Sequence, residues 1–324
     1  FNRVTNIGGL QHDGSAFQAG GRDQVIMRFN WVHDTSKLSY RFDSGSNPKY
    51  PNGFGQVYGN VAWKCRSYQI KGDDHLIANN VALYGSVISL NVSEVYKSTN
   101  DRTLSFNNIG PLASTKRGKK TAPGILKSNI SLMVPAYEKT VPGRKRPLKV
   151  KAQPINPATV LRDPANWDFR PRPGTAAAKL GTPISAETLP KGFPAEWVDL
   201  AFFAKPAIGA YPLAAKRYWI PGYRAATAST PIPRNGGKAV PLSADLMWLE
   251  GYRSTKSVVY CGTNRATIET ACEKSPLCLG TFTDSNIAKP AALKPATTYY
   301  WSVDAITPSG TIRKGPVWTF TTKE

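Results

Sequence analysis

The chain of 324 residues is long enough for two domains, each with its own core, and its 26 prolines and 27 glycines suit a turn-rich, all-β protein. No run of about 18 apolar residues occurs, so the sequence has no helix long and apolar enough to cross a membrane. Forty-two Lys and Arg against 21 Asp and Glu leave a formal charge of +21, which directs attention to polyanionic partners, glycan or nucleic acid.

The text opens at Phe1 without a start methionine or a signal peptide and is already strand-like. Two readings stand: Phe1 is a processed end whose partner is an N-terminal fragment of the same precursor, or it is simply the first residue of the sequence in hand. Short apolar runs then surround four asparagines: RFNWVHD at Asn30, YGNVAWK at Asn60, IANNVAL at Asn80 and SFNNIGP at Asn108. Their spacings of 30, 20 and 28 residues fit a parallel β-helix, in which a minimal coil takes about twenty residues and longer coils carry a corner loop such as DSGSNPKYPNGFG. Asparagine suits a corner because it tolerates the αL conformation, and asparagines one coil apart can hydrogen-bond along the stack. The competing reading, a β-sandwich with irregular hairpins, lacks two-residue hairpin signatures between the runs.

All three histidines fall in this region, each beside an aspartate: His12-Asp13, His33-Asp34 and Asp74-His75. His12 and His33 are 21 residues apart, one minimal coil, and would stack about 4.8 Å apart as an acid–base site or a site for Ca2+ or another divalent metal. The run Lys71, Asp73, Asp74, His75 offers a cation, carboxylates and a base, the types that a uronate lyase or a glycoside hydrolase needs, although a turn at a coil corner explains it equally. The catalytic candidates are therefore His12, Asp13, His33, Asp34, Lys71, Asp73, Asp74 and His75.

Residues 115–151 break the pattern, with eleven Lys or Arg and a single acid, Glu138. Lys116, Arg117, Lys119, Lys120, Arg144, Lys145 and Arg146 are the candidate polyanion-binding residues. Gly143-Arg144-Lys145-Arg146 also reads as a polybasic processing site, and a solvated charged loop is the plain alternative. Sequons at Asn91 and Asn129 fit N-glycosylation.

Next come Leu161-Arg162-Asp163-Pro164, the run DFRPRPG at 168–174, and Ile208-Gly209-Ala210-Tyr211. These resemble the closing segment of secreted right-handed parallel β-helix proteins of the pectate-lyase-like type, and the earlier GLQHDGSAFQ, WVHDTSK and IKGDDHLIANN resemble the same group. The resemblance implies a right-handed parallel β-helix over 1–215, with its N-terminal cap missing and a basic insertion at 115–151. It also implies a fold that hosts several chemistries on acidic sugars.

A Pro-rich linker covers 216–230. Within it Lys216-Arg217-Tyr218-Trp219 and Tyr223-Arg224 read either as a packed interdomain joint or as a surface that stacks on sugars or bases. Residues 231–324 resemble a fibronectin type III-like β-sandwich, through SADLMW at 243–248, Val258-Val259-Tyr260, LKPATTYYWSVDA at 293–305 and PVWTFT at 316–321. Trp248, Tyr300 and Trp318 are the expected core aromatics. Cys261, Cys272 and Cys278 lie close together, with Cys65 far upstream, and there is no CxxC pair and no nearby histidine. Disulfides are expected rather than a zinc site, and with the sequons they favour a secreted, extracellular protein. Three functions remain: a basic glycoprotein that binds or processes acidic or sulfated glycans, a β-helix polysaccharide lyase or hydrolase, and a secreted cytotoxic or DNA-active protein.

Overall fold

The computed structural model describes residues 1–10, 13–20, 24–43, 53–86, 88–93, 100–117, 124–134, 137–139, 148–150, 153–204, 207–213 and 215–324. The protein is mostly β and forms two compact units. One comprises Arg3–Leu161 and Arg170–Leu213, the other Phe1–Asn2, Arg162–Phe169 and Ala214–Glu324.

The first unit is built from short strands: β1 (Arg3–Thr5), β2 (Ser15–Ala19), β3 (Ile26–Arg28), β4 (Trp31–His33), β5 (Leu38–Phe42), β6 (Gln56–Tyr58) and β7 (Val61–Trp63). They continue as β8 (Tyr68–Ile70), β9 (Leu76–Ala78), β10 (Val81–Leu83), β11 (Ile88–Ser93), β12 (Leu104–Phe106), β13 (Leu112–Arg117) and β14 (Ile125–Lys127). Sheet A has the order β1-β4-β7-β10, sheet B β2-β5-β8-β11-β13 and sheet C β3-β6-β9-β12-β14, and every pairing is parallel. The chain therefore visits A, B and C in rotation. Single bridges from Val81 to Ile109 and from Ile109 to Ile130 extend sheet A. Alternation along each strand sends Val32 and Ala62 of sheet A, Tyr40, Phe42, Tyr68 and Ile70 of sheet B, and Val57 and Ile77 of sheet C into one shared core.

Between sheets C and A the chain turns on two residues: 29–30, 59–60, 79–80, 107–108 and 128–129. The second is always asparagine. The backbone N–H and Nδ2 of Asn30 donate to Oδ1 of Asn60 at 3.0 and 3.1 Å. Asn60 repeats this toward Asn80 (3.1 and 3.1 Å), Asn80 toward Asn108 (2.9 and 3.0 Å), and Asn108 toward Asn129 (2.9 and 3.0 Å). The other Nδ2 hydrogen reaches a backbone carbonyl, that of Met27 for Asn60, Val57 for Asn80 and Ile77 for Asn108. The inner amides thus use both donors and both acceptor positions.

The ladder asparagines are not the αL residues, as the corner argument expected. Positive φ falls on the residue before each: Phe29 (57°), Gly59 (64°), Asn79 (52°), Asn107 (55°) and Ser128 (53°). That residue makes the turn, which leaves the following side chain aimed inward along the stack. Gly59 is the glycine of this set for a second reason, since a Cβ there would meet the Phe29 ring at 2.7 Å. Asn129 is the fifth rung, with Nδ2 donating to the Ser105 carbonyl at 2.6 Å, so a glycan at this sequon would compete with the ladder for the same nitrogen. Asn91 lies on β11 opposite Thr115, and its side chain falls outside the described residues.

A return segment covers two outer faces of this unit. Ile184, Phe193, Val198 and Phe203 pack on Tyr58, Leu76, Leu104 and Phe106 of sheet C. Over sheet A, Trp31 Nε1 donates to Tyr211 Oη at 2.9 Å, and Gly209 sits against Ile109 and Val81. The αL asparagines point outward and hold this segment: Asn79 Nδ2 donates to the carbonyls of Ala207 and Gly209, and Asn107 exchanges two hydrogen bonds with the backbone of Thr182.

In the second unit, Ser229–Ile232, Leu246–Leu249 and Ile287–Ala288 form an antiparallel sheet. Gly237–Val240, Trp318–Thr322, Thr298–Ile306, Lys256–Gly262 and Cys278–Phe282 form a larger sheet, in which only the first pairing is parallel. Trp248, Val259, Trp301, Val303, Trp318 and Phe320 share a buried core. Tyr299, Trp301 and Val303 face it, so the core aromatics of that strand are Tyr299 and Trp301 rather than the expected Tyr300, which packs on the opposite face beside Tyr260.

All four cysteines are free, which corrects the expected disulfides. Cys65 is buried in the first unit beside Ser86 Oγ at 3.1 Å, and burial pushes its thiol up to about 11. Cys278 lies opposite Tyr260 and shares its face, while the neighbouring Cys261 turns to the other face among the core aromatics. Burial pushes Cys261 up to about 12, and Cys272 is exposed.

The ladder predicts its own cost of removal. Asn80→Ala strands the donors of Asn60, the Val57 carbonyl and an acceptor of Asn108 in a dry interior, so urea unfolding should register a loss of about 3 kcal/mol or more. Asn129→Ala, at the part-buried end, should lose less than half as much.

Candidate functional site

The outer face of sheet B carries a polar row in register across three strands: Gln18, Arg41 and Gln69. They face outward because Phe17, Tyr40 and Tyr68 face the core. Asp43 and Lys71 follow β5 and β8 at stacked positions, and Asp13 precedes β2. Arg41 joins the group: Nη1 lies 2.8 Å from Asp13 and Nη2 2.7 Å from Asp43. Lys71 Nζ lies 2.7 Å from the same Asp43 carboxylate. Arg41 beside it holds the Asp13 carboxyl below the usual carboxylate range. Among the described residues Arg41 Nε and Gln69 Oε1 are buried without hydrogen-bond partners. Two cations and two carboxylates make the cluster neutral, so it suits a polar uncharged group better than a polyanion.

Of the catalytic candidates, the structure brings Asp13 and Lys71 together here, bridged by Arg41 and Asp43, which the sequence reading missed. The rest go elsewhere. His33 stands in sheet A between Thr5 and Trp63, so no second histidine flanks it there. His12 lies outside the described residues. The His33 ring stacks on Trp63 at 4.2 Å, its Nδ1 lies 2.6 Å from Asp34 Oδ2, and its Nε2 accepts from Arg3 Nε at 2.8 Å. Burial lowers its pKa against the pull of Asp34, and both ring nitrogens are engaged in structure.

The run from Lys71 to His75 turns the corner between β8 and β9, and each side chain leaves in its own direction. Asp73 accepts the Asp101 N–H at 2.7 Å. Asp74 is buried and takes a bidentate pair of 2.7 Å bonds from Arg102. His75 is enclosed in the core, stacked on Phe42 at 4.6 Å, accepting from the Gly55 N–H through Nδ1 and contacting the Lys71 carbonyl through Nε2 at 3.0 Å. The expected acid–base set is therefore dispersed, and among the described residues no group of three or more His, Cys, Asp or Glu is arranged to hold a metal ion.

Of the basic candidates, Lys116 and Arg117 lie on β13 opposite Val92 and Ser93, at the edge of sheet B. Lys119, Lys120, Arg144, Lys145 and Arg146 lie outside the described residues. Tyr137–Lys139 and Leu148–Val150 pair antiparallel on either side of 140–147. No known protein family, curated protein or solved structure matches the chain.

Burial holds His75 down at about 4, against 6.5 for an exposed histidine. Between these values the unfolded chain binds the extra proton and the folded chain does not, so stability should be full above pH 6.5 and fall as pH drops toward 4, by about 3 kcal/mol. Urea titrations at pH 7, 6, 5 and 4 measure the slope, and His75→Gln should flatten it in that window.

Proposed function

We propose that this is a secreted, extracellular basic protein that binds polyanionic glycans, acidic or sulfated, through residues 115–151. Its frame on this reading is a right-handed parallel β-helix followed by a fibronectin type III-like β-sandwich. The β-helix reading draws support from the fixed rotation through three parallel sheets and from the asparagine ladder. The sandwich reading draws support from the Tyr299 hydroxyl, which accepts the Lys294 N–H at 2.9 Å and ties the corner before its strand, as a tyrosine corner does.

The observation that carries the binding reading is where positive charge is concentrated along the sequence. Residues 1–114 hold eleven Lys and Arg against eight Asp and Glu. Among the described residues five of those cations are paired, four within the range (Arg41 and Lys71 by Asp43, Lys64 by Asp34, Arg102 by Asp74 and Asp101) and Arg28 by Asp199. Residues 115–151 hold eleven against one. Like charges gathered in one segment add little to stability, but each anionic group they neutralise releases a condensed counterion. The lyase or hydrolase reading loses ground because, among the described residues, its acid–base candidates His33, Asp73, Asp74 and His75 are engaged in structural contacts.

Replacing Arg144, Lys145 and Arg146 together by Ser should leave the unfolding midpoint unchanged. It should weaken binding to immobilised heparin and reduce the slope of log affinity against log salt by about two to three. An unchanged affinity and slope in the triple variant would remove the segment from function.

A further inference from the structure

We infer that the second unit has a separate binding site for a carboxylated or sulfated sugar unit, built where residues 223–226 run beside residues 250–253. The inference rests on the glycan-binding reading above and places a second contact far in sequence from the basic segment.

The two stretches are held in backbone contact. The Tyr252 N–H donates to the Ala225 carbonyl at 2.6 Å. Arg313 Nη1 donates to the carbonyls of both Ala226 (3.3 Å) and Tyr252 (3.0 Å), one guanidinium fastening the two. Gly251 permits the approach, because a Cβ there would stand 2.8 Å from the Ala226 carbonyl oxygen and 3.0 Å from the Ala305 methyl.

The result is a surface that presents aromatic rings and guanidinium groups together. Tyr223 is 88% exposed and Tyr252 52% exposed, so neither ring serves the core. The Arg253 guanidinium lies 5.1 Å over the Tyr252 ring. Arg217 and Arg224 converge on the two oxygens of Glu250, the latter at 3.2 Å, and both remain half exposed, with further N–H donors facing solvent. Three guanidinium groups against one carboxylate leave the patch positive.

Each component matches one feature of an anionic sugar. A tyrosine ring takes the C–H face of the pyranose, and a guanidinium fork takes the carboxylate or sulfate. Glu250 is mostly buried, with both oxygens taken by Arg217 and Arg224, and so orients the two guanidinium forks. A pyranose offers a C–H face directly beside its anionic group, which matches a tyrosine ring flanked by guanidinium groups, and an oligothymidylate titration measures the competing match of a base to the same rings. Sequence alone offered Tyr223-Arg224 as a stacking surface without its other half. Tyr218, in the same stretch, is buried, its hydroxyl donating to the Trp167 carbonyl at 2.7 Å and accepting from the Phe169 N–H at 3.1 Å.

The test uses the full chain titrated calorimetrically with an oligogalacturonate, a heparin hexasaccharide, a neutral cello-oligosaccharide and a twelve-residue oligothymidylate. The paired substitution Tyr223→Ala, Tyr252→Ala should lower affinity for at least one anionic oligosaccharide by about tenfold or more, with the salt slope unchanged because the rings carry no charge. Tyr223→Phe with Tyr252→Phe should restore it, and Arg224→Gln should lower the slope by about one. The same loss should appear in the Arg144→Ser, Lys145→Ser, Arg146→Ser background. Undiminished binding by the alanine pair overturns the site, as does a loss confined to oligothymidylate or to the neutral sugar. If the triple serine variant binds like the parent while the alanine pair does not, the basic segment fails and this site stands.

Discussion

A buried column of side-chain amides governs the first unit. An asparagine in a dry interior must place two hydrogens and two lone pairs, and here every inner rung finds all four partners in the rungs above and below and in the adjacent backbone. The column fixes the distance between successive coils. Once Asn60 is locked to Asn80, β7 cannot slip against β10, because a one-residue shift would break both amide bonds and turn Val61 and Ala62 to the wrong faces. The registers of sheets B and C follow, since strands there are joined to the same rungs through short corners.

The same corners divide two tasks between adjacent residues. At 79–80 and 107–108 both residues are asparagine, and the pair is not redundant. The first takes the left-handed conformation and reaches outward to the return segment, while the second joins the column. At the other corners the first position is shared out differently: the Ser128 hydroxyl lies 2.6 Å from Thr182 Oγ1, the Phe29 ring packs edge-on against Phe202, and Gly59 leaves room for the Phe29 ring, so the backbone defines the position and the neighbour decides its side chain.

This explains what was legible in the sequence. The four asparagines at coil spacing were visible because a column demands one residue type at one recurring place. Asn129 continues it at 21 residues, yet its sequon drew a different reading. The chemistry was harder to see because a corner redirects neighbouring side chains: Asp73, Asp74 and His75 are consecutive in sequence and reach a backbone amide, a half-exposed arginine and the core. The Arg41, Asp43 and Lys71 cluster escaped for the opposite reason, since its members are brought together by stacking. The signal existed: Asp43 and Lys71 differ by 28 residues, the offset that pairs Phe42 with Ile70. In the second unit the aromatic text was read one residue out of phase, because three consecutive aromatics, Tyr299, Tyr300 and Trp301, leave the face ambiguous until the pairing strands are known.

The return segment bears on the order of folding. Thr182, Ala207 and Gly209 bind asparagines that precede them by 75 to 130 residues, and Phe193, Val198 and Phe203 close over strands made as early as β6. Coils can form by local addition, each templated by the one before, but this cover has nothing to dock on until several are complete. During synthesis the apolar outer faces of sheets A and C must wait, uncovered, for residues still to be translated. The last stretch of the unit therefore acts as an internal chaperone that arrives late, and the interval before it arrives is when the chain is most exposed to aggregation.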